Sequence, residues 1–281
     1  MRSMVIGRWL CAGVVLAGCG DSGDPGTEAS VPCEPAADER GNPYACIAGA
    51  LESATAFPGV PREPLAGVRV SACTLETCII GTTAADGTYL VQRLPVAPHK
   101  VEILGAAKGY MTLAFFQDVK PGELARATQT IVIPRVTNSA VSWTAAAGGT
   151  ATVADGKLVL QAEAGILRYP IGTPEEEMLV EAVAVPLDEL VPYDIEPWAG
   201  KEDESMAFLV NPFPLTAAES VGLTVKGVGA PANALYRLYA ANATTGELEE
   251  AGVLAADASG DLVLQPGGSL TQLTTLVIVP N

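Results

Sequence analysis

The sequence predicts an all-β chain, two antiparallel β-sandwiches that follow a short apolar leader and a flexible tether. Three observations predict it. Apolar residues make up 49% of the chain and charged residues 17%, a balance that can bury cores and argues against disorder over most of the length. The 29 Gly and 21 Pro residues interrupt the chain at short intervals, which favours short strands joined by turns. Between those breaks apolar and polar residues alternate with the period of two expected of strands with one buried face. A chain of 281 residues has room for two modest domains, placed at 45–135 and 137–281.

Residues 1–18, MRSMVIGRWLCAGVVLAG, run from two arginines through an apolar stretch to small residues, the order of a secretory signal. The apolar stretch Trp9 to Leu16 is shorter than the roughly 20 residues that span a bilayer. Leu16-Ala17-Gly18-Cys19 resembles the lipobox of bacterial lipoproteins. That resemblance implies cleavage before Cys19, diacylglycerol on its sulfur and a further acyl chain such as palmitate on its nitrogen. An ordinary signal followed by a free cysteine is the alternative. Three acyl chains would hold a bilayer with on the order of 30 kcal/mol. Gly20 stands where the aspartate that retains enterobacterial lipoproteins in the inner membrane would be, so the outer membrane is the expected destination. Residues 19–44 are rich in Gly, Pro, Ser and acids and read as a tether. About 25 such residues span about 25–30 Å as a coil.

Of six cysteines, Cys11 leaves with the signal and Cys19 takes the lipid, leaving Cys33, Cys46, Cys73 and Cys78. An even number in an exported chain reads as two disulfides. Spacing allows three connectivities. Cys73 and Cys78 bracket TLET between two strand-like runs, as facing positions of a hairpin would, so the favoured pairing is Cys73 with Cys78 and Cys33 with Cys46. No metal site is expected, because the CxxC pairs of a zinc ribbon are missing and the single histidine, His99, has no ligand spacing.

In the first sandwich, Val68, Val70 and Ala72 alternate with Arg69 and Ser71, and Ala85-Asp86-Gly87-Thr88 supplies a turn. The opening strand with Gly49, PLAGVRV at Pro64 to Val70, TTAADGTYL at Thr82 to Leu90, Leu94-Pro95 and Gly109-Tyr110 together resemble the carboxypeptidase regulatory-like domain. That likeness implies a prealbumin-like sandwich of about seven strands that scaffolds or binds and is itself non-catalytic. Ala97 and His99 stand where the family pattern has Gly and Tyr before its fifth strand. Asp86 could be offered as a calcium ligand, but a lone Asp-Gly reads as a turn. His99, between Pro98 and Lys100, reads as a solvated loop residue.

From Asn138 onward, TATVADGKLVLQA, MLVEAVAVPL, MAFLVN, SVGLTVKG, ALYRLYAAN, DLVLQ and TTLVIVP predict the strands of the second sandwich. LVLQ occurs twice, within 155–165 and 259–269, too briefly for a repeat architecture. LYRLYAANATTGELEEAG, at 235–252, is similar to hairpins of ZU5-like and immunoglobulin-like sandwiches in bacterial surface proteins, and the residues do not decide between them.

The formal charge of −16, with no basic stripe, sets nucleic-acid binding aside. Glu175-Glu176-Glu177 and Glu202-Asp203-Glu204 could suggest glycoside hydrolysis or calcium binding, but both read as solvated loops. No nucleophile elbow, zincin, P-loop or dinucleotide motif is found, and no cofactor is expected. The sequence therefore reads as a non-enzymatic envelope lipoprotein, tied to the membrane by its lipid and acting as a structural or adhesive module toward a protein or polysaccharide. The alternative is a carbohydrate-binding or substrate-capturing module of a degradative system, which would show an aromatic-lined groove containing Trp143, Trp198 or nearby tyrosines.

Overall fold

Strand β5 (His99–Leu104) shows how the sequence sets its own geometry: His99, Val101 and Ile103 are buried while Lys100, Glu102 and Leu104 are half-buried, the alternation a pleated strand imposes. The computed structural model describes residues 37–54, 62–121, 124–126, 130–136, 139–187, 190, 193, 200–201 and 204–281. These residues belong to one compact unit of the chain. The leader, Cys19 and Cys33 lie outside the described residues.

The described chain is all-β. Its first half contains β1 (Tyr44–Ser53), β2 (Arg69–Cys73), β3 (Cys78–Thr82), β4 (Thr88–Pro95), β5, β6 (Leu113–Gln117), β7 (Leu124–Arg126) and β8 (Ile131–Ile133). One sheet runs β3-β2-β5-β6 and is antiparallel throughout. The other centres on β1, antiparallel to β4 but parallel to β7 and β8. Those two pairs depart from antiparallel pairing because the chain after β6 crosses over and returns in the direction of β1. Ile47, Leu51, Val70, Tyr89, Val91, Leu94, Val101, Ile103 and Phe115 fill the space between the sheets.

Two local features keep this packing in phase. Tyr89 and Val91 face inward, yet the next buried residue of β4 is Leu94. A bulge opposite Ala45 and Ile47, with Arg93 at φ 61°, absorbs the extra residue and turns Leu94 in. Gly49 faces the Tyr89 ring so closely that a Cβ there would lie 2.6 Å from its hydroxyl oxygen. Only glycine admits that ring.

The second half contains β9 (Val141–Ser142), β10 (Gly149–Val153), β11 (Leu158–Ala162), β12 (Leu167–Arg168), β13 (Leu179–Val185), β14 (Met206–Asn211), β15 (Leu215–Ala217), β16 (Gly222–Val225), β17 (Leu235–Ala241), β18 (Leu248–Ala256), β19 (Leu262–Leu264), β20 (Gln272–Leu273) and β21 (Thr275–Pro280). Ten of these form one antiparallel sheet ordered β10-β11-β16-β19-β18-β17-β21-β14-β13-β9, and β12-β15-β20 form a smaller one. The large sheet curls until β9 and β10, its two edges, come close to each other. The two LVLQ segments flank β16 in matching register: Leu158 and Leu262 both pair with Val225, and Val159 and Val263 both pair with Thr224.

Strands β14 and β21 serve two cores at once. Phe208, Val210, Leu276 and Ile278 point into the core of the large sheet. Ala207, Leu209, Val277 and Val279 point the other way, into the core of the first half. Tyr193, also in that core, donates its hydroxyl proton to the Ala114 carbonyl and lies 2.8 Å from Thr275 Oγ1. Gly246, in the turn between β17 and β18, presses on the backbone of β6: a Cβ there would lie 2.5 Å from the Phe115 carbonyl carbon.

Candidate functional site

Cys73 and Cys78 are directly paired in the β2–β3 ladder, and a disulfide joins them across a Cα separation of 4.0 Å. Between them the turn is closed by its own threonine. Thr74 N–H donates to the Thr77 carbonyl at 2.8 Å, while Thr74 Oγ1 accepts from the N–H groups of Glu76 and Thr77 at 3.2 Å each. Thr74 thus ties the turn together from within, and the next side chain, Leu75, is left 89% exposed. Ile80, on the outward face of β3, is exposed as well.

Beside this hairpin tip lies a cleft of about 660 Å³. Its walls come from three places. Leu75 and Glu76 belong to the hairpin, Pro95, Ala97, Pro98 and His99 to the turn into β5, and Thr244, Thr245 and Glu247 to the β17–β18 turn of the second half, with Phe116 from β6 completing it. Asn242 shapes that last turn, its Oδ1 accepting from the N–H groups of Thr244 and Thr245 at 2.8 and 3.2 Å.

The charges in the cleft are unequal. Lys100 Nζ pairs with Glu102 at 2.7 Å, donates to the Ala243 carbonyl at 2.7 Å and sits 5.8 Å from the centre of the Phe213 ring. Its charge is consumed in fastening the two halves together. Glu76 and Glu247 have no ion pair among the described residues, so the cleft presents net negative charge.

His99 differs from the expected solvated residue. It is 1% exposed because β5 begins with it on the inward face. Its Nδ1 lies 2.6 Å from the Ala97 carbonyl, which can only accept, so Nδ1 carries the proton and Nε2 is a buried acceptor without a partner. Burial holds the imidazole below the ordinary histidine range, against the opposing pull of the Ala97 hydrogen bond. This side chain closes the turn into β5.

The other expected residues fall as follows. Asp86 caps its turn, accepting from Thr88 N–H at 3.0 Å and from its hydroxyl at 2.7 Å. Those bonds, the hydroxyl's first, keep the carboxyl below its ordinary range. Gly87 holds φ 79° there. Cys46 is disulfide-bonded, with its partner outside the described residues. Glu175–Glu177 form a short exposed 3₁₀ turn. Trp143 is buried, with its Nε1–H donating to the Gly149 carbonyl at 3.1 Å, so no sugar ring can reach its face. Trp198, Glu202 and Asp203 lie outside the described residues. Among the described residues, no group of three or more His, Cys, Asp and Glu side chains could hold a metal ion, and no helix is long and apolar enough to cross a membrane.

A second cleft, of about 670 Å³, lies where Arg69, Lys108 and Thr112 meet Leu179, Asn211 and Phe213. The sequence pointed to the cysteines and the turn but not to Leu75 or the 244–247 segment. A lone leucine within a turn bracketed by cysteines was the available signal for the first. The second had none, because its role depends on a contact between distant parts of the chain.

No protein-family model matches the chain, and no curated protein matches it by sequence. Solved structures similar to it include the TIE protein of Bacillus anthracis, at 12% identity and a TM-score of 0.28, covering 85% of this chain and 48% of that one. A DUF3823 family protein from Bacteroides ovatus shows 13% identity and a TM-score of 0.24, covering 85% and 82%. The full-length major pilin RrgB of Streptococcus pneumoniae shows 11% identity and a TM-score of 0.21, covering 83% and 44%. The chain spans about half the length of the first of these. Similarity at this level assigns neither a family nor an activity.

Proposed function

We propose that the chain is a lipid-anchored protein of the bacterial cell envelope that works without catalysis, as an interaction module holding a partner at the hairpin end of its first half. The observation that carries this reading is the disulfide-closed hairpin, which holds Leu75 out in water beside a largely apolar cleft. An exposed apolar side chain next to a concave apolar surface marks a place where something binds. The Cys73–Cys78 bond, with Cys78 exposed, belongs to an oxidising compartment. Cys19 supplies the anchor, Gly20 directs it to the outer membrane, and a Cys33–Cys46 bond fastens the tether to β1. The burial of Trp143 counts against sugar capture on that ring.

The experiment is Cys19→Ser in the full chain. Wild-type protein is expected in the envelope fraction and in the detergent phase, with an intact mass showing cleavage before residue 19 and added acyl chains. The variant is expected to lose the added mass and the detergent partitioning. Unchanged partitioning of the variant contradicts the anchor.

A further inference from the structure

We infer that the cleft beside Leu75 receives a polypeptide segment whose apolar side chain is flanked by lysine or arginine. This rests on the reading of the chain as an interaction module and names the chemistry of its partner. Apolar walls select an apolar anchor, and a held, solvent-exposed leucine supplies the complementary contact. The flanking charge follows from the electrostatics. Lys100 is neutralised by Glu102, His99 is buried with its charged form disfavoured by desolvation, and Glu76 and Glu247 are left without ion-pair partners among the described residues. They stand on different walls of one cleft, so an occupant between them meets a carboxylate on each side. The chain's formal charge of −16 extends the same preference beyond the cleft and opposes docking of a second copy, which would bring like charge against like. An oligosaccharide is a poorer fit, since the walls offer it one half-buried ring, Phe116.

The test uses the full chain anchored on zwitterionic phosphatidylcholine vesicles. Three short fluorescent peptides share a central leucine–phenylalanine pair and differ only in flanking residues: lysine, serine or glutamate. Binding is read as peptide sedimenting with the protein-bearing vesicles beyond that sedimenting with bare ones. The lysine-flanked peptide is expected to bind about tenfold more tightly than the serine-flanked one, with the glutamate-flanked one weakest. That order is expected to collapse in a Glu76→Gln, Glu247→Gln double variant and in about 0.5 M salt, and Leu75→Ser is expected to weaken all three.

A glutamate-flanked peptide that binds as tightly as the lysine-flanked one, or a charge preference that persists in the double variant, overturns the cationic occupant. Provided Leu75→Ser still weakens binding, that result leaves the interaction reading standing. Binding of none of the peptides, or binding indifferent to Leu75→Ser, overturns the cleft as a docking site and removes the observation on which the interaction reading rests.

Discussion

The two halves of the described chain handle their apolar surface in opposite ways. In the second half the large sheet curls until its edges come close to each other, and its strands β14 and β21 are buried on both faces. In the first half the sheet β3-β2-β5-β6 ends in a short outer strand whose outward residue Ile80 is exposed, and its hairpin tip puts Leu75 into water beside a cleft. Ile171, in the second half, is fully exposed too, but it does not line that cleft. The difference teaches that exposure alone does not make a binding surface. Leu75 has a covalently closed turn beneath it, a concave wall beside it and uncompensated charge around it. The second half contributes the opposing wall, through Thr244, Thr245 and Glu247, and a rigid backing through the shared core.

That contrast can be broken most severely from the second half. Trp143→Ala removes a buried indole and its hydrogen bond to Gly149, with an expected cost of about 3–5 kcal/mol in urea unfolding. Peptide binding by the protein that remains folded should be unchanged. Gly246→Ala attacks the junction, adding a Cβ against the Phe115 backbone at φ 80°. It should cost about 2–3 kcal/mol and, unlike the tryptophan change, weaken peptide binding by displacing the 244–247 wall. Replacing Cys73 and Cys78 together by alanine should cost about 2 kcal/mol, the chain entropy of a short loop. Hydrogen exchange should then rise at β2 and β3 and stay unchanged in β14 and β21.

The smallest effect is the acid sensitivity of His99. Its folded form takes up a proton less readily than an unfolded histidine, whose ordinary value is 6.5. As pH falls through that value the unfolded chain gains the extra proton, so stability present at neutral pH declines toward acid. Asp38, Asp86 and Asp257 are each held below the ordinary 3.8 by hydrogen bonds, Asn42, Thr88 and Ser259 being their first partners. Their contributions are lost only in more acidic solution, so a urea-midpoint titration from about pH 7.5 to about pH 5 isolates the histidine. His99→Phe should flatten the slope.

Much of this fold could be read from period-two patterns, because most strands bury one face. Val68, Val70 and Ala72 are inward, as their alternation with Arg69 and Ser71 indicates, although Ser71 is itself buried and bonded to Glu102, and Ala85 to Thr88 is a turn because Asp86 and Gly87 can make one. MAFLVN and TLVIVP carried a second message. Their unbroken apolar run reflects burial on both sides, the mark of strands shared between two cores, and a list of strands treats them like any other. The parallel pairing of β1 with β7 and β8 left no local trace, since nothing in three-residue strands fixes direction. His99 misled because a histidine between Pro98 and Lys100 looks solvated, whereas its position at the inward phase of β5 decides its burial. Of the candidate site, the cysteine pair could be read from spacing and TLET. The cleft could not, since one wall comes from residues more than a hundred positions further on.

The central claim is that the hairpin end of the first half is where this protein meets its partner. It is tested most directly by placing a photo-crosslinking benzophenone side chain at position 75, or at position 171 as the exposed control, in the full chain within living cells. The account predicts covalent adducts from position 75 that are absent from position 171 and diminished by Glu76→Gln with Glu247→Gln. Equal adducts from both positions, or none from position 75, would contradict it.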